Sequence, residues 1–226
     1  MRAGLGMGAI LLLIASGACA APCPTTTLTC GGVPQQVSTP TGNCSYSDCA
    51  GSGNASFDAV LGKVMAFAQG GACAGAGAAM VETDDDFQVT GLAPGTPLNF
   101  AAKLGLAIFI CPGAVPGCCT GSASAFLRDD TGEVDNFSAH NAGASCVSLN
   151  TDLQITIHAN AGEAFHIIYG TDAGGQKAAS GNITGAVVFA GLPLGASVVS
   201  CRGFVQDFPV PAGSATWARI RALYRN

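Results

Sequence analysis

Charge is what this sequence has least of. Of 226 residues only 10 % are Asp, Glu, Lys or Arg, against about 25 % in an ordinary soluble domain. Lys and Arg number 9 against 14 Asp and Glu, and the resulting net charge of −5 excludes a basic nucleic-acid-binding surface. Charge-rich heptads are missing, which excludes a coiled coil. Aromatics are scarce at 7 %, with Trp 1 and Tyr 3. No later apolar run approaches the roughly 20 residues of a transmembrane helix. Leu104 to Ile110, for instance, stops at Cys111-Pro112. Hydrophobic residues still make up 49 %, and the mean hydropathy is +0.41, which excludes a disordered chain.

What is abundant is glycine (32) and cysteine (11). The N-terminus explains the cysteines. Arg2, the apolar run Ala9 to Ala15 and the small-x-small triplet Ala18-Cys19-Ala20 predict a signal peptide cleaved after Ala20. The protein is therefore expected in the secreted or cell-envelope compartment. The rival, a lipidated Cys19, is disfavoured because Ser16 stands where a bulky apolar residue is usual. Cleavage leaves Cys23, Cys30, Cys44, Cys49, Cys73, Cys111, Cys118, Cys119, Cys146 and Cys201. An even set in an oxidising compartment predicts disulfides. The first four cysteines lack the tight knuckle spacing of zinc sites. Connectivity stays open, except that adjacent Cys118 and Cys119 are expected to take different partners.

Composition divides the rest into a turn-rich, Cys-rich arm (21–56), a β domain (57–206), and a Pro/Gly linker with a basic-aromatic tail (207–226). Within the β domain the period is two. Leu98, Phe100, Ala102, Leu104, Leu106, Ile108 and Ile110 alternate with Asn99, Ala101, Lys103 and Gly105. Leu153, Ile155 and Ile157, then Phe165, Ile167 and Tyr169, repeat the pattern, and Ala186 to Phe189 and Ser197 to Cys201 add two strands. Phe57 to Ala68 also fits a helical stripe, but the following Gly-rich run favours a strand pair turning at Gln69-Gly70-Gly71. The expected fold is all-β: an antiparallel sandwich, jelly-roll or immunoglobulin-like, of about eight to ten strands.

Two corners echo each other. Val89 to Thr96 and Phe189 to Ala196 both read strand, Gly-Leu, loop, Gly, strand. The first, through Leu92-Ala93-Pro94-Gly95-Thr96, resembles the corner of fibronectin type III domains, with Leu98 where their Tyr stands. Gly191 to Phe204, followed by Trp217-Ala218-Arg219-Ile220-Arg221-Ala222-Leu223-Tyr224-Arg225, resembles the ending of a group of secreted bacterial β-proteins that close on Trp-x-Arg-x-x-x-Leu-Tyr-Arg. That resemblance implies an exported sandwich and brings no site residues. Trp217, Arg219, Arg221, Tyr224 and Arg225 form either a terminal cover for the fold or a recognition tail.

Candidate chemistry is thin. His158, Glu163 and His166 place acid and imidazole close together, but on two strands rather than one helix face, so solvent-facing polar positions are expected. Ser122 and Ser124 lack the Gly-x-Ser-x-Gly elbow. Asp84, Asp85 and Asp86 read as a solvated loop. Asp129, Asp130, Glu133 and Asp135 have the oxygen chemistry for calcium without EF-hand spacing, and a hairpin turn at Gly132 is preferred. Sequons at Asn43, Asn54, Asn136 and Asn182 would matter only in a eukaryotic secretory pathway. No cofactor and no catalytic residue is expected. The sequence therefore points to a non-catalytic secreted or cell-surface protein, structural, adhesive or ligand-binding, with a protein or glycan partner. A carbohydrate-binding module and an extracellular hydrolase are the alternatives.

Overall fold

A computed structural model describes residues 23–71, 75–113 and 119–208. The expected leader, Cys73, Cys118 and the tail from Trp217 to Arg225 lie outside the described residues. Fourteen strands run through the described residues: β1 (Thr26–Cys30), β2 (Val33–Val37), β3 (Thr41–Ser47), β4 (Gly51–Asp58) and β5 (Lys63–Gly70). The two longest follow, β6 (Ala76–Thr90) and β7 (Pro97–Cys111). Then come β8 (Gly121–Asp129), β9 (Val134–Asn141), β10 (Val147–Asn160), β11 (Ala164–Gln176), β12 (Ser180–Ala190), β13 (Ser197–Ser200) and β14 (Val205–Asp207).

They form two antiparallel sheets packed as a sandwich, as the alternation demands. The eight-stranded sheet runs β14-β13-β6-β11-β8-β9, with β1 also on β6 and β2 outside β1. The six-stranded sheet runs β10-β7-β12-β5-β4-β3. Between them lie the inward residues of each strand, buried in alternation. The centre of one half is aromatic: Phe87 meets Phe189, Phe204 and Phe165 at ring-centroid distances of 5.1, 5.6 and 5.8 Å. The other half sets alanine and glycine beside Ile108, Ile110 and Ile183, and there glycine lets the sheets approach backbone to backbone. A Cβ on Gly181 would lie 1.9 Å from the Ser122 carbonyl oxygen, and one on Gly77 2.4 Å from that of Gln69. The sandwich thus tapers, filled by Phe at one end and closed by Gly at the other.

The two echoed corners are one device used twice. They carry β6 into β7 and β12 into β13, each crossing between the sheets. Gly91, Gly95, Gly191 and Gly195 all adopt φ of 79 to 85°, a region costly for side-chain-bearing residues. Thr96 N donates to Ala93 O and Ala196 N to Pro193 O, both at 3.2 Å. Leu192 is buried beneath its corner.

One expectation about the first third is corrected. The hairpin around Phe57–Ala68 turns at Ala59–Gly62, where Gly62 (φ 63°) donates to Ala59 O and Asp58 caps Leu61 N. Gln69-Gly70-Gly71 is instead where the chain leaves the six-stranded sheet. The apolar stripe misled because β4 and β5 both bury alternate residues, and the turn between them exposes Val60 and Leu61. The Cys-rich segment contributes strands to both sheets: β1 and β2 belong to one, and β3 and β4 to the other. The Cys30–Cys44 disulfide joins those two sheets, and Cys111–Cys146 fastens the end of β7 to the residue before β10.

Candidate functional site

The polar residues singled out in the sequence do not converge. His158 stands exposed on the outer face of β10, opposite Asn99. It borders an open groove of about 440 Å³ lined by Pro97, Leu98, Asn99, Ala159 and Asn160. Glu163 turns away to accept from Asn160 Nδ2 at 2.9 Å. His166 sits on the other sheet, with Nδ1 2.8 Å from Asp86 Oδ1 and Nε2 3.0 Å from Asp84 Oδ1. Burial pushes the Asp84 carboxyl up, His166 opposes that, and Asp86 adds to it. Asp84 and Asp86 are therefore strand residues clasping an imidazole, not the solvated loop expected. Ser122 faces His140 across the β8–β9 pair, but the imidazole's contact is Ser138 Oγ at 3.4 Å. A serine–histidine–carboxylate relay does not assemble from these groups.

The acidic loop before β9 has a structural use. Asp129 Oδ1 accepts from Thr131 N at 3.0 Å and Glu133 N at 2.9 Å, and its Oδ2 accepts from Thr131 Oγ1 at 2.7 Å. Gly132 takes φ 98°, so the preferred turn is formed. Glu133 and Asp135 reach across to the opposite sheet. Their carboxylates accept from the backbone N–H groups of Thr156 at 2.8 Å and Gln154 at 2.9 Å. Those amides lie on β10, an edge strand, whose outward N–H groups would otherwise be unpaired. The carboxylates thus diverge instead of enclosing an ion. Among the described residues no group of three or more His, Cys, Asp or Glu is placed to hold a metal.

The outer face of the six-stranded sheet offers something the sequence reading missed. Register aligns one residue from each of its strands in a single transverse row: Ser148, Phe109, Asn182, Phe67, Asn54 and Ser45. All six belong to the outward set of their strands. Phe109 is 48 % exposed, an uncommon position for a large apolar ring. Phe67, half-buried, stands two strands away, so the backbones that carry the two rings are about 9.5 Å apart, twice the inter-strand spacing. Asn182 lies between them, with Asn54 and Ser148 on the flanks. None of these three side chains is hydrogen-bonded among the described residues, and the Asn54 amide oxygen is shielded from solvent without a partner. The neighbouring row contributes Ala107 beside Phe109, so the ring rises above a low floor. The face presents two flat apolar platforms with unspent amides and a hydroxyl between and beside them, and the row carries no charge.

With Trp 1 and Tyr 3, the composition gives little sign of aromatic platforms. The signal for Phe109 was present, since it falls between the inward Ile108 and Ile110. Its alignment with Phe67 depends on strand order β7-β12-β5, which periodicity cannot supply.

No protein-family model and no curated protein matches the chain. Among solved structures, TmCBM61 in complex with β-1,4-galactotriose is similar over 66 % of this chain and 87 % of its own, with 10 % identity and a TM-score of 0.33. A structure of carbohydrate-binding modules from the β-sandwich superfamily is similar over 75 % of this chain and 86 % of its own, with 9 % identity and a TM-score of 0.26. Likeness at that level transfers no binding face and no ligand.

Proposed function

We propose that the protein is an exported, non-catalytic binding module that takes a neutral saccharide chain across the outer face of its six-stranded sheet. The observation that carries this reading is the row Phe109, Asn182 and Phe67, with both rings outward. A sugar ring has one face dominated by C–H groups, which packs on an aromatic face, and a rim of hydroxyls that need donors and acceptors. Asn182 and Ser148 supply both. The uncharged row suits an uncharged ligand. Two platforms carried on backbones about 9.5 Å apart leave room for one further ring between the stacked ones. A ligand of three or more linked sugars is therefore expected to bind more tightly than a disaccharide.

Calorimetric titration of the secreted full chain against neutral oligosaccharides of graded length and linkage tests this. Saturable binding that strengthens from disaccharide to tetrasaccharide supports the reading. An absence of binding across the panel overturns it. The adhesive, protein-directed reading rests on a different feature, the exposed Val134, Val147 and Leu149 along the β9–β10 side. Self-association that disappears in Val134→Ser/Leu149→Ser, with no glycan binding, would favour that reading instead.

A further inference from the structure

On the side of β6 away from β11, two short strands leave a gap. β1 pairs with Ala79–Thr83 and β13 with Phe87–Thr90, so Asp84–Asp86 face no strand there. The turn after β13 closes that gap. Cys201 N donates to Asp86 O at 3.2 Å, and the Arg202 guanidinium donates to Asp84 O at 3.0 Å. The same guanidinium also donates to Pro24 O and to Thr26 Oγ1. The chain on either side of the gap is therefore held by one buried arginine, 5 % exposed. Cys23 adjoins Pro24 and Cys201 adjoins Arg202, so the Arg202–Pro24 hydrogen bond brings the two thiols into each other's neighbourhood, close enough to interact. Neither sulfur is bonded, and both residues are only half-buried. Beneath them the Asp85 carboxylate is fully buried, with Oδ1 3.5 Å from Cys201 Sγ and Oδ2 without a partner.

We infer that Cys23 and Cys201 are a disulfide-forming pair that locks the β1–β13 gap of the eight-stranded sheet, joining the chain before its first strand to the turn before its last. The oxidant is an oxidised dithiol carrier or a small-molecule disulfide of the exporting compartment. Burial, contact with Cys23 and the Asp85 carboxylate hold the Cys201 thiol well above the usual thiol range. Cys23 is therefore the first attacker. Its thiolate displaces one carrier sulfur as a thiolate and forms a mixed disulfide. Cys201 then attacks the Cys23 sulfur, and the second carrier sulfur leaves. Two protein thiols and one carrier disulfide become one protein disulfide and two carrier thiols; two electrons and two protons pass to the carrier. Asp85, raised by burial to about 6, is placed to take the Cys201 proton and release it.

Peptide mapping of the secreted full chain, digested without reduction after blocking free thiols with an alkylating agent, tests the pairing without any variant. The expected result is a cross-linked peptide containing Cys23 and Cys201, two hydrogens lighter than the sum of its reduced parts and separated by reductant. Cys23→Ser should leave Cys201 open to alkylation. Quantitative alkylation of both residues in the unreduced wild type, or either one bridged to a different cysteine, would overturn the inference.

Discussion

The outer faces of the two sheets are built from the same alternation and use it in opposite ways. On the eight-stranded sheet, side chains are engaged with one another. Arg128 lies 3.8 Å from Glu82 and 5.5 Å over the Phe126 ring, and His166 is held by Asp84 and Asp86. Phe126 in turn rests on Gly170, where a Cβ would meet the ring at 2.8 Å. On the six-stranded sheet, Phe109, Asn182 and Phe67 stand in a row without internal partners. A face whose polar groups satisfy one another contributes to the stability of the fold. A face that leaves rings and amides unspent contributes little to folding and is available to a ligand. The contrast predicts that substitutions on the first face change stability, while those on the second change binding.

The largest expected effect lies beneath the first face. Asp85 is fully buried among Arg202, Ser200, Cys201 and the Asp86 backbone, and burial raises its carboxyl to about 6. A folded-state value above the unfolded one stabilises the protein below the unfolded value, and this stabilisation is lost as pH rises through the folded value. The loss between about pH 4 and pH 7 is on the order of 3 kcal/mol. Asp84 and Asp152 are shifted in the same direction by burial and add to it. Chemical denaturation across that window should show falling stability in the wild type and a flatter profile in Asp85→Asn. A profile that rises toward neutrality would contradict the assignment.

Next in size is Gly170→Ala, which drives a methyl into the Val81 carbonyl (2.5 Å) and the Phe126 ring. A cost of about 2 kcal/mol is expected, read as a lower denaturation midpoint. A neutral result would mean that Phe126 does not rest on this strand. Smaller again is the edge. Replacing Glu133 and Asp135 by Ala removes acceptors from Thr156 N and Gln154 N, at about 1 kcal/mol each. Because these carboxylates are engaged, added calcium should leave the wild-type melting temperature unchanged, and a rise of several degrees would show an ion site instead.

Much of this architecture was legible from periodicity, because a half-buried strand writes its inward set directly into the chain. β7 and the second half of β10 follow the expected alternation closely. The paired Gly-Leu corners were visible because only glycine tolerates the φ they need. Pairing was harder to read. Cys30 and Cys44 lie in different sheets and still bond, and Phe67 and Phe109 are brought into line only by β12 between them. Register is set by contacts far apart in sequence, so a site made by register leaves only isolated outward residues in the chain. Glu133 and Asp135 looked like ion ligands for the same reason: the edge amides they serve belong to β10, across the sandwich.

The smallest effect on stability is also the most decisive for the function. In Phe67→Ala/Phe109→Ala one ring is exposed and the other half-buried on an outer face, so the stability should fall by no more than about 1 kcal/mol. The measurement is the affinity of this variant for the best-bound oligosaccharide, alongside its stability. The account predicts a fall of at least about tenfold, equivalent to roughly 1.4 kcal/mol, with the fold intact. Wild-type affinity in a folded double variant would contradict it.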